Sequence, residues 1–136
     1  MSIYDMSSID MSRKDVCRQI WRRNMEEKIQ KKYCPMTETI FYTLLALLTP
    51  NHGYGIMKFV KGLTNERVKM GTGTLYTMLG RLVEDEMIFV VSEENGKKTY
   101  QITEDGKILL MREVDRLRQQ YENGQKILGG EMYEKN

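Results

Sequence analysis

A β-hairpin pattern in the second half of the chain limits the possible folds more than any other feature. Residues 87–93 read Met-Ile-Phe-Val-Val-Ser-Glu, and this β-branched and aromatic content is typical of a strand. Asn95-Gly96 follows, a dipeptide that favours a two-residue hairpin turn because both positions tolerate positive φ. Residues 97–102 are then the predicted return strand.

The turn also predicts how the two strands pair. A two-residue turn pairs Val91 with Tyr100 and, further along, Phe89 with Ile102. We therefore expect these four side chains on one buried face. A two-stranded hairpin is marginally stable by itself, so it should pack against the helices that precede it.

Four segments before the hairpin and one after it have the three- and four-residue apolar spacing of helices. They cover approximately residues 12–32, 37–48, 52–63, 72–86 and 104–124. The third helix is expected to bury Ile56, Phe59, Val60 and Leu63. This order predicts a mainly α-helical winged helix-turn-helix with a small β-hairpin and one additional helix at each end.

The fourth predicted helix has two different faces when it is plotted at 100° per residue. The inner face carries Leu75, Met78, Leu79 and Leu82. The outer face carries Gly73, Thr74, Thr77, Gly80 and Arg81, with Tyr76 at the boundary. Solvent-facing helices usually carry long charged residues. Small side chains without carboxylates instead suit a helix that lies close to a duplex.

Length and charge bound the organisation of the chain. Its 136 residues are about one domain's worth. We divide them into an arm with a basic amphipathic helix (1–34), a winged-helix domain (35–103) and a C-terminal helix with a tail (104–136). The net charge of +2 is uneven, because residues 1–34 carry eight Lys or Arg against five Asp or Glu. A DNA-binding surface in the remainder must therefore be a local basic patch.

The composition argues against several classes of protein. No apolar run approaches the roughly 20 residues that span a bilayer, and residues 1–10 lack the pattern of an export signal. We therefore expect a cytoplasmic protein that does not bind membranes. Cys17, Cys34 and the single histidine lack the spacing of a standard zinc site. No catalytic constellation stands out, so we expect no enzyme activity, metal or cofactor.

Several stretches resemble the PadR-like transcriptional regulators. They are Phe41-Tyr42-Thr43-Leu44-Leu45-Ala46-Leu47, His52-Gly53-Tyr54-Gly55-Ile56-Met57, Gly73-Thr74-Leu75-Tyr76 with Leu79 and Arg81-Leu82, and Tyr100-Gln101-Ile102-Thr103 with Gly106. Their order and spacing, from about residue 36 to residue 117, are more specific than any one piece. Two positions depart from the family pattern: Thr72 replaces a common proline, and Asp85-Glu86 replaces the usual Asp-Gly before the wing.

The resemblance implies a dimeric and usually repressing regulator. Its fourth helix would enter the major groove while the wing meets the DNA backbone. The single helix after the hairpin resembles the short branch of the family, in which the N-terminal and C-terminal helices are dimerisation helices.

The candidate DNA contacts fall into three groups. Residues expected at or beside base edges are Thr72, Thr74, Tyr76, Thr77 and Arg81. Lys69, Lys97 and Lys98 are candidates for phosphate contact, with a merely solvated wing as the alternative. His52 and Tyr54 could hold a phosphate at a helix start, with local packing as the alternative.

The candidate dimer interface is a seam on the last helix. Leu110, Val114, Leu117 and Tyr121 follow the 4-3-4 spacing of a coiled coil, and one short domain cannot bury all four. Trp21 and Met25 of the first helix are expected in the same interface. The single tryptophan and eleven methionines could also line a pocket for a small aromatic or phenolic effector. The favoured alternative is that they fill the interface core.

The predicted function is sequence-specific DNA binding by a homodimeric transcriptional repressor on an inverted-repeat operator. Release by a small effector is an additional hypothesis. The alternative is a winged-helix module that binds another protein and has no DNA affinity, an alternative that the nearly neutral charge of residues 35–136 leaves open.

Overall fold

The computed structural model describes residues 13–130, apart from the side chains at positions 13, 14, 17, 18, 20–22 and 24–26. The chain divides into two compact units, Met1–Cys34 and Pro35–Asn136. The first unit contains helix α1, Arg13–Tyr33. Asp15 lies in its first turn, and Lys31 and Lys32 lie in its last turn. These charges complement the helix dipole at both ends.

The described residues of the second unit form helices around a small antiparallel sheet. In chain order they are α2 (Glu38–Ala46), β1 (Asn51–His52), α3 (Gly53–Leu63), α4 (Thr72–Glu84), β2 (Ile88–Glu94), β3 (Lys97–Ile102) and α5 (Glu104–Leu128). The strand order is β1-β3-β2. This architecture confirms the predicted winged-helix fold class. The sequence patterns missed β1, which has two residues and no periodicity to detect.

The core forms where the apolar faces of the helices meet the base of the hairpin. Its most deeply buried apolar side chains are Leu44, Leu47, Ile56, Val60, Leu75, Leu79, Leu82 and Ile88. The Ile102 N–H donates to the Leu47 carbonyl over 2.9 Å. The hairpin is therefore tied to the end of α2 by a backbone hydrogen bond as well as by apolar packing.

The pairing of β2 with β3 differs from the prediction by one residue. Val90 pairs with Tyr100 and Ser92 pairs with Thr99, so Val91 is an extra residue in β2. This is a β-bulge, in which two residues of one strand oppose one residue of the other. The two-residue turn itself is as predicted, and the register changes only beyond the bulge.

The bulge changes which side chains of β2 are buried. Ile88 pairs with Ile102 and is 1% exposed, whereas Phe89 and Val91 are 44% and 45% exposed. The prediction that Phe89 and Val91 share a buried face with Tyr100 and Ile102 is therefore wrong. The physical reason is that a one-residue shift moves every side chain beyond it to the other face of a strand.

The inner face of α3 is narrower than predicted. Ile56 and Val60 are buried, but Phe59 is 41% exposed and Leu63 is 53% exposed. Phe59 is turned by roughly 100° from the direction shared by Gly53, Ile56 and Val60, and Leu63 lies in the last turn. The prediction that both are buried is wrong.

The predicted ends of three helices also need correction. The second and fourth helices each end two residues earlier than predicted, since α2 ends at Ala46 and α4 ends at Glu84. By contrast, α5 continues through Gly124 to Leu128. A single glycine costs a helix only about 1 kcal/mol, so it does not end one that is otherwise supported.

Candidate DNA-binding interface

The orientation of α4 is fixed by three leucines. Leu75, Leu79 and Leu82 are each 0% exposed, and they anchor the helix to the core by its inner face. The opposite face is therefore directed outward, as predicted. On this face or at its start, Thr72, Thr74, Thr77 and Arg81 are all exposed.

The start of α4 accommodates the threonine that replaces the family's proline. Gly71 caps the helix without a side-chain hydrogen bond, and Thr72 is the first helical residue. Proline is favoured at this position because its missing N–H has no partner inside the helix in any case. Either residue therefore fits, and the departure at Thr72 leaves the helix intact.

Two glycines on the outer face of α4 have no internal role that requires them. A Cβ placed on Gly73 or Gly80 would meet no atom within 4 Å. Glycine in a helix is less favourable than alanine by roughly 0.8–1 kcal/mol. Packing within the chain therefore does not explain these residues, whereas close approach of another molecule to this face would.

A groove of about 470 Å³ separates the start of α3, the side of α4 and the wing formed by β2 and β3. Its lining includes five of the predicted contact residues, namely His52, Tyr54, Tyr76, Lys97 and Lys98. Its lining also includes Gly80, which the sequence placed on the outer face of α4. The remaining lining residues, which the sequence did not indicate, are Gly53, Val83, Val90, Gly96 and Tyr100.

The start of α3 forms one end of this groove. His52 caps the helix, because its Nδ1 accepts from the Gly55 N–H at 3.3 Å. The His52 N–H is itself held by Asn51 Oδ1 at 2.9 Å, which orders the turn. The ring of His52 therefore has a local packing role, while the Tyr54 side chain is 67% exposed.

Tyr76 lies on the groove side of α4. A Cβ built on Gly53 would be 2.6 Å from the Tyr76 hydroxyl, so the tyrosine is packed over backbone that only glycine leaves open. Half of its surface remains exposed, at 51%. Tyr100 lies in the same groove, and burial raises the pKa of its hydroxyl, with further contributions from Tyr76 and Glu93. The Tyr100 hydroxyl therefore remains a neutral hydrogen-bonding group.

The wing places two lysines beside the groove. Lys97 and Lys98 are exposed, and they stand in register with Glu94 and Glu93 of β2. The formal charges of these four paired positions cancel. Lys69 is exposed in the segment before α4, and it is not part of the groove lining.

The candidate dimer residues divide between the core and the surface. Leu110 is 3% exposed, whereas Val114, Leu117 and Tyr121 are 47%, 38% and 65% exposed. A second, apolar groove of about 430 Å³ lies between α2 and α5 and includes Leu110 and Val114. The side chains of Trp21 and Met25 lie outside the described residues.

Neither a metal-binding cluster nor a membrane-spanning helix is found among the described residues. Among them, no group of three or more His, Cys, Asp or Glu side chains could hold a metal ion. In the same part of the chain, every helix is too short or too polar to cross a membrane.

A helix-turn-helix with an exposed second helix and an adjacent wing defines the class of winged-helix DNA-binding proteins. The family model described as "Transcriptional regulator PadR-like family" matches residues 43–112, about half of the chain. This chain therefore belongs to the PadR-like family of transcriptional regulators. The match begins in α2 and ends in α5, so it includes the helix-turn-helix, the wing and the first residues of α5.

Individual proteins are similar to this chain in part of their sequence or in fold. The chain is 36% identical over 56 residues to the Escherichia coli transcriptional regulator YqjI. That segment is 41% of this chain and 27% of YqjI, so the chain matches only about a quarter of the curated relative's length. A PadR family regulator from Eggerthella lenta superposes with a TM-score of 0.56 at 18% identity, over 85% of this chain and 94% of that one. A regulator from Clostridium thermocellum gives 0.52 at 23% identity, over 68% and 89%.

Proposed function

We propose that this PadR-like regulator is a homodimeric repressor that reads an inverted-repeat operator with α4. The observation that carries the proposal is the outer face of α4. It is exposed and free of carboxylates before Glu84, and it contains two glycines that the fold does not need. Such a face suits close approach to the negatively charged major groove.

The polar side chains of this face would make the sequence-specific contacts with the bases. Arg81 can pair with a guanine edge through two hydrogen bonds. Thr77 lies one turn earlier and Thr74 one turn before that, and a threonine offers a hydroxyl or a methyl contact. Thr72, at the start of the helix, is placed to flank the bases. Tyr76, which packs on Gly53 and remains 51% exposed, would flank the bases from the boundary of this face.

Residues of the groove and of the wing would contact the DNA phosphates. Lys97 and Lys98 flank the groove from one side, and Tyr54 stands at the start of α3 on the other. The first N–H groups of a helix favour an anion, so a phosphate between α3 and the wing would meet positive charge from both directions. Lys69 would contact the backbone separately, from the segment before α4.

The exposed seam of α5 and helix α1 would form the dimer interface. Val114, Leu117 and Tyr121 continue the helix face whose earlier residue Leu110 is buried. An apolar stripe of this kind is covered most simply by a symmetry-related copy of itself. Residues 104–136 would then act as a dimerisation segment, and residues 1–34 would supply the second one.

An effector of aromatic or phenolic type is a secondary proposal, supported by the groove between α2 and α5. Its walls include Leu45, Leu48 and Met111, and its charged lining residues are Lys107, Asp115 and Arg118, of which Arg118 is paired with Asp115. Apolar walls with a few charged groups suit a flat ring with a polar substituent. Isothermal titration calorimetry would detect such binding, and saturable binding that changes DNA affinity reciprocally is the expected result. A broad panel of phenolic acids and aromatic cations that shows no binding would remove this proposal.

The substitution Gly80→Ala tests the main proposal, with Gly62→Ala as the matched control. Both glycines lie in helices, and a Cβ on either would meet no atom within 4 Å. Both changes should therefore raise the free energy of unfolding by up to about 1 kcal/mol. Only Gly80→Ala should weaken DNA binding in electrophoretic mobility shift assays, because only that methyl group would stand between α4 and the duplex.

Two results would contradict the proposal. Unchanged operator affinity for Gly80→Ala would mean that nothing approaches this face closely. An equal loss for Gly62→Ala would mean that the effect is not specific to α4. If wild-type protein binds neither specific nor random duplex at low salt, the protein-interaction module becomes the better explanation.

A further inference from the structure

The turn of the wing contains a chemically reactive dipeptide. Asn95 and Gly96 are both exposed, and both have positive φ, at 52° and 76°. A Cβ placed on Gly96 would meet no atom within 4 Å. Gly96 therefore has no side chain that would hinder attack by its backbone nitrogen, and the space on the side of its missing Cβ is open.

We propose that Asn95 is a deamidation site, and that its conversion weakens the contact between the wing and DNA. The Gly96 backbone nitrogen loses its proton and attacks Cγ of Asn95. The new N–C bond closes a succinimide ring while the C–NH₂ bond breaks and ammonia leaves. Water then opens the ring at either carbonyl to give aspartate or isoaspartate. The reaction consumes only water and needs no enzyme or oxidant.

The product changes the charge of a balanced surface. The four charged residues nearest the turn are Glu93, Glu94, Lys97 and Lys98, paired in register across the two strands. Their formal charges cancel, so one new carboxylate makes the tip negative. This effect on DNA binding rests on the proposed function, because it requires that the wing meets phosphates. Isoaspartate also lengthens the backbone within a turn that has only two residues.

A second Asn-Gly pair in the same chain provides an internal reference. Asn123-Gly124 lies inside α5, Glu104–Leu128. In a helix the Gly124 N–H is bonded to the carbonyl four residues earlier, and its neighbours hold the backbone fixed. Attack on the Asn123 side chain would first require local opening of the helix. The two sites thus share one dipeptide and differ in structural setting.

Peptide mass mapping tests the chemistry on the intact protein. Trypsin separates the two sites, since residues 82–97 and 119–126 are different tryptic peptides. After incubation in mildly alkaline buffer, Asn95 should be converted about tenfold faster than Asn123, a ratio set by the cost of opening the helix. In denaturant the two rates should become similar. Equal rates in the folded protein, or faster conversion of Asn123, would overturn the site assignment.

DNA binding tests the consequence. Asn95→Asp, and wild-type protein after incubation, should lose affinity for DNA on the order of tenfold at low salt. Asn95→Gly cannot deamidate and keeps a turn that accepts positive φ, so it should retain its affinity after the same incubation. Conversion without loss of affinity would overturn the functional half of the proposal. In that case the double variant Lys97→Ala/Lys98→Ala shows which part is wrong. If this variant also binds DNA normally, the wing does not contact DNA as the proposed function requires, whereas deamidation of Asn95 is still supported.

Discussion

The exposed faces of α4 and α5 differ in chemistry although the two helices are packed in the same way. Each helix buries leucines on its inner side, Leu75 and Leu79 in α4 and Leu109 and Leu110 in α5. On the outer side, α4 presents small and polar residues. The second half of α5 instead presents an apolar stripe of Val114, Leu117, Tyr121 and Leu128.

The residue chemistry of each exposed face indicates the kind of partner that binds to it. The threonines and glycines of α4 suit a polar, charged surface approached at close range. The stripe on α5 leaves large side chains in water, with Tyr121 and Leu128 at 65% and 83% exposure. Exposed apolar stripes of this kind usually mark an interface with another protein. Substitutions on each outer face should therefore affect one partner, and substitutions on each inner face should affect stability.

The largest expected effect concerns the outer face of α5. Leu117→Glu places a charge in the proposed seam and should produce monomers in light scattering. Loss of the second half-site contact should then reduce operator affinity by about 10²–10⁴-fold. Gln119→Glu adds the same charge on the opposite side of α5 and should remain dimeric. A Leu117→Glu protein that stays a well-behaved dimer would remove this stripe from the interface.

The next effect concerns the outer face of α4. Arg81→Ala should cost about 1–3 kcal/mol in operator binding if the guanidinium pairs with a base, and Thr77→Ala about 1. Arg81→Lys keeps the charge but loses the paired hydrogen bonds, so it should lose specific affinity and keep random affinity. The measurement is the ratio of specific to random affinity. If neither alanine variant lowers this ratio, α4 is not the reading helix.

The inner face of α5 contains a buried charge whose effect should appear in stability alone. The Glu113 side chain is 1% exposed, and its Oε2 accepts from the Met36 N–H at 2.6 Å. The Arg116 guanidinium beside it lowers the pKa of the Glu113 carboxyl, partly opposed by burial, and the Met36 N–H lowers it further. Glu113 thus connects α5 to the segment that leads into α2.

The sign of the pH dependence follows from this lowered pKa. The ionised carboxylate stabilises the fold above its ordinary pKa of 4.5, and this contribution is lost as the pH falls from there through the lowered value. Glu113→Gln should therefore cost about 1–3 kcal/mol at neutral pH, and the difference from wild type should shrink in acid. Glu122→Gln removes an exposed carboxylate paired with Arg118 and should change little. Urea unfolding at several pH values measures both, and a constant difference for Glu113→Gln would refute the assignment.

The sequence predicted the faces of α4 correctly because an amphipathic helix needs only local periodicity. Its prediction for the wing was wrong at Phe89 and Val91 because a bulge has no local pattern in this strand. The register there depends on which of Ile88 and Phe89 fits the core, and that is a tertiary property. The groove beside α4 was likewise only partly predictable. Val90 and Tyr100 reach it through the shifted register and through pairing with β1, which sequence patterns did not reveal.

The smallest expected effect concerns the end of α4, where the missing family glycine has a structural consequence. Glu86 occupies the left-handed region with φ of 58°. The Met87 N–H donates to the Leu82 carbonyl at 2.9 Å and the Glu86 N–H to the Val83 carbonyl at 3.0 Å. This is the Schellman pattern, which usually has glycine at the position of Glu86 because other side chains are strained there. The turn into the wing therefore forms without its glycine, at a cost in conformational energy.

Glu86→Gly should raise the free energy of unfolding by about 0.5–1 kcal/mol, since relief of strain outweighs the greater freedom that glycine gives the unfolded chain. Glu84→Gly is the matched control, because it removes the same charge two residues earlier, at the last position of α4. There the backbone is helical, so glycine should destabilise by about 1 kcal/mol. Both variants remove one carboxylate near the proposed DNA surface, so any electrostatic gain in DNA affinity should be similar in the two. Thermal unfolding should then separate them in opposite directions. Equal shifts in stability would mean that Glu86 is not strained, and that this family position tolerates a side chain at no cost.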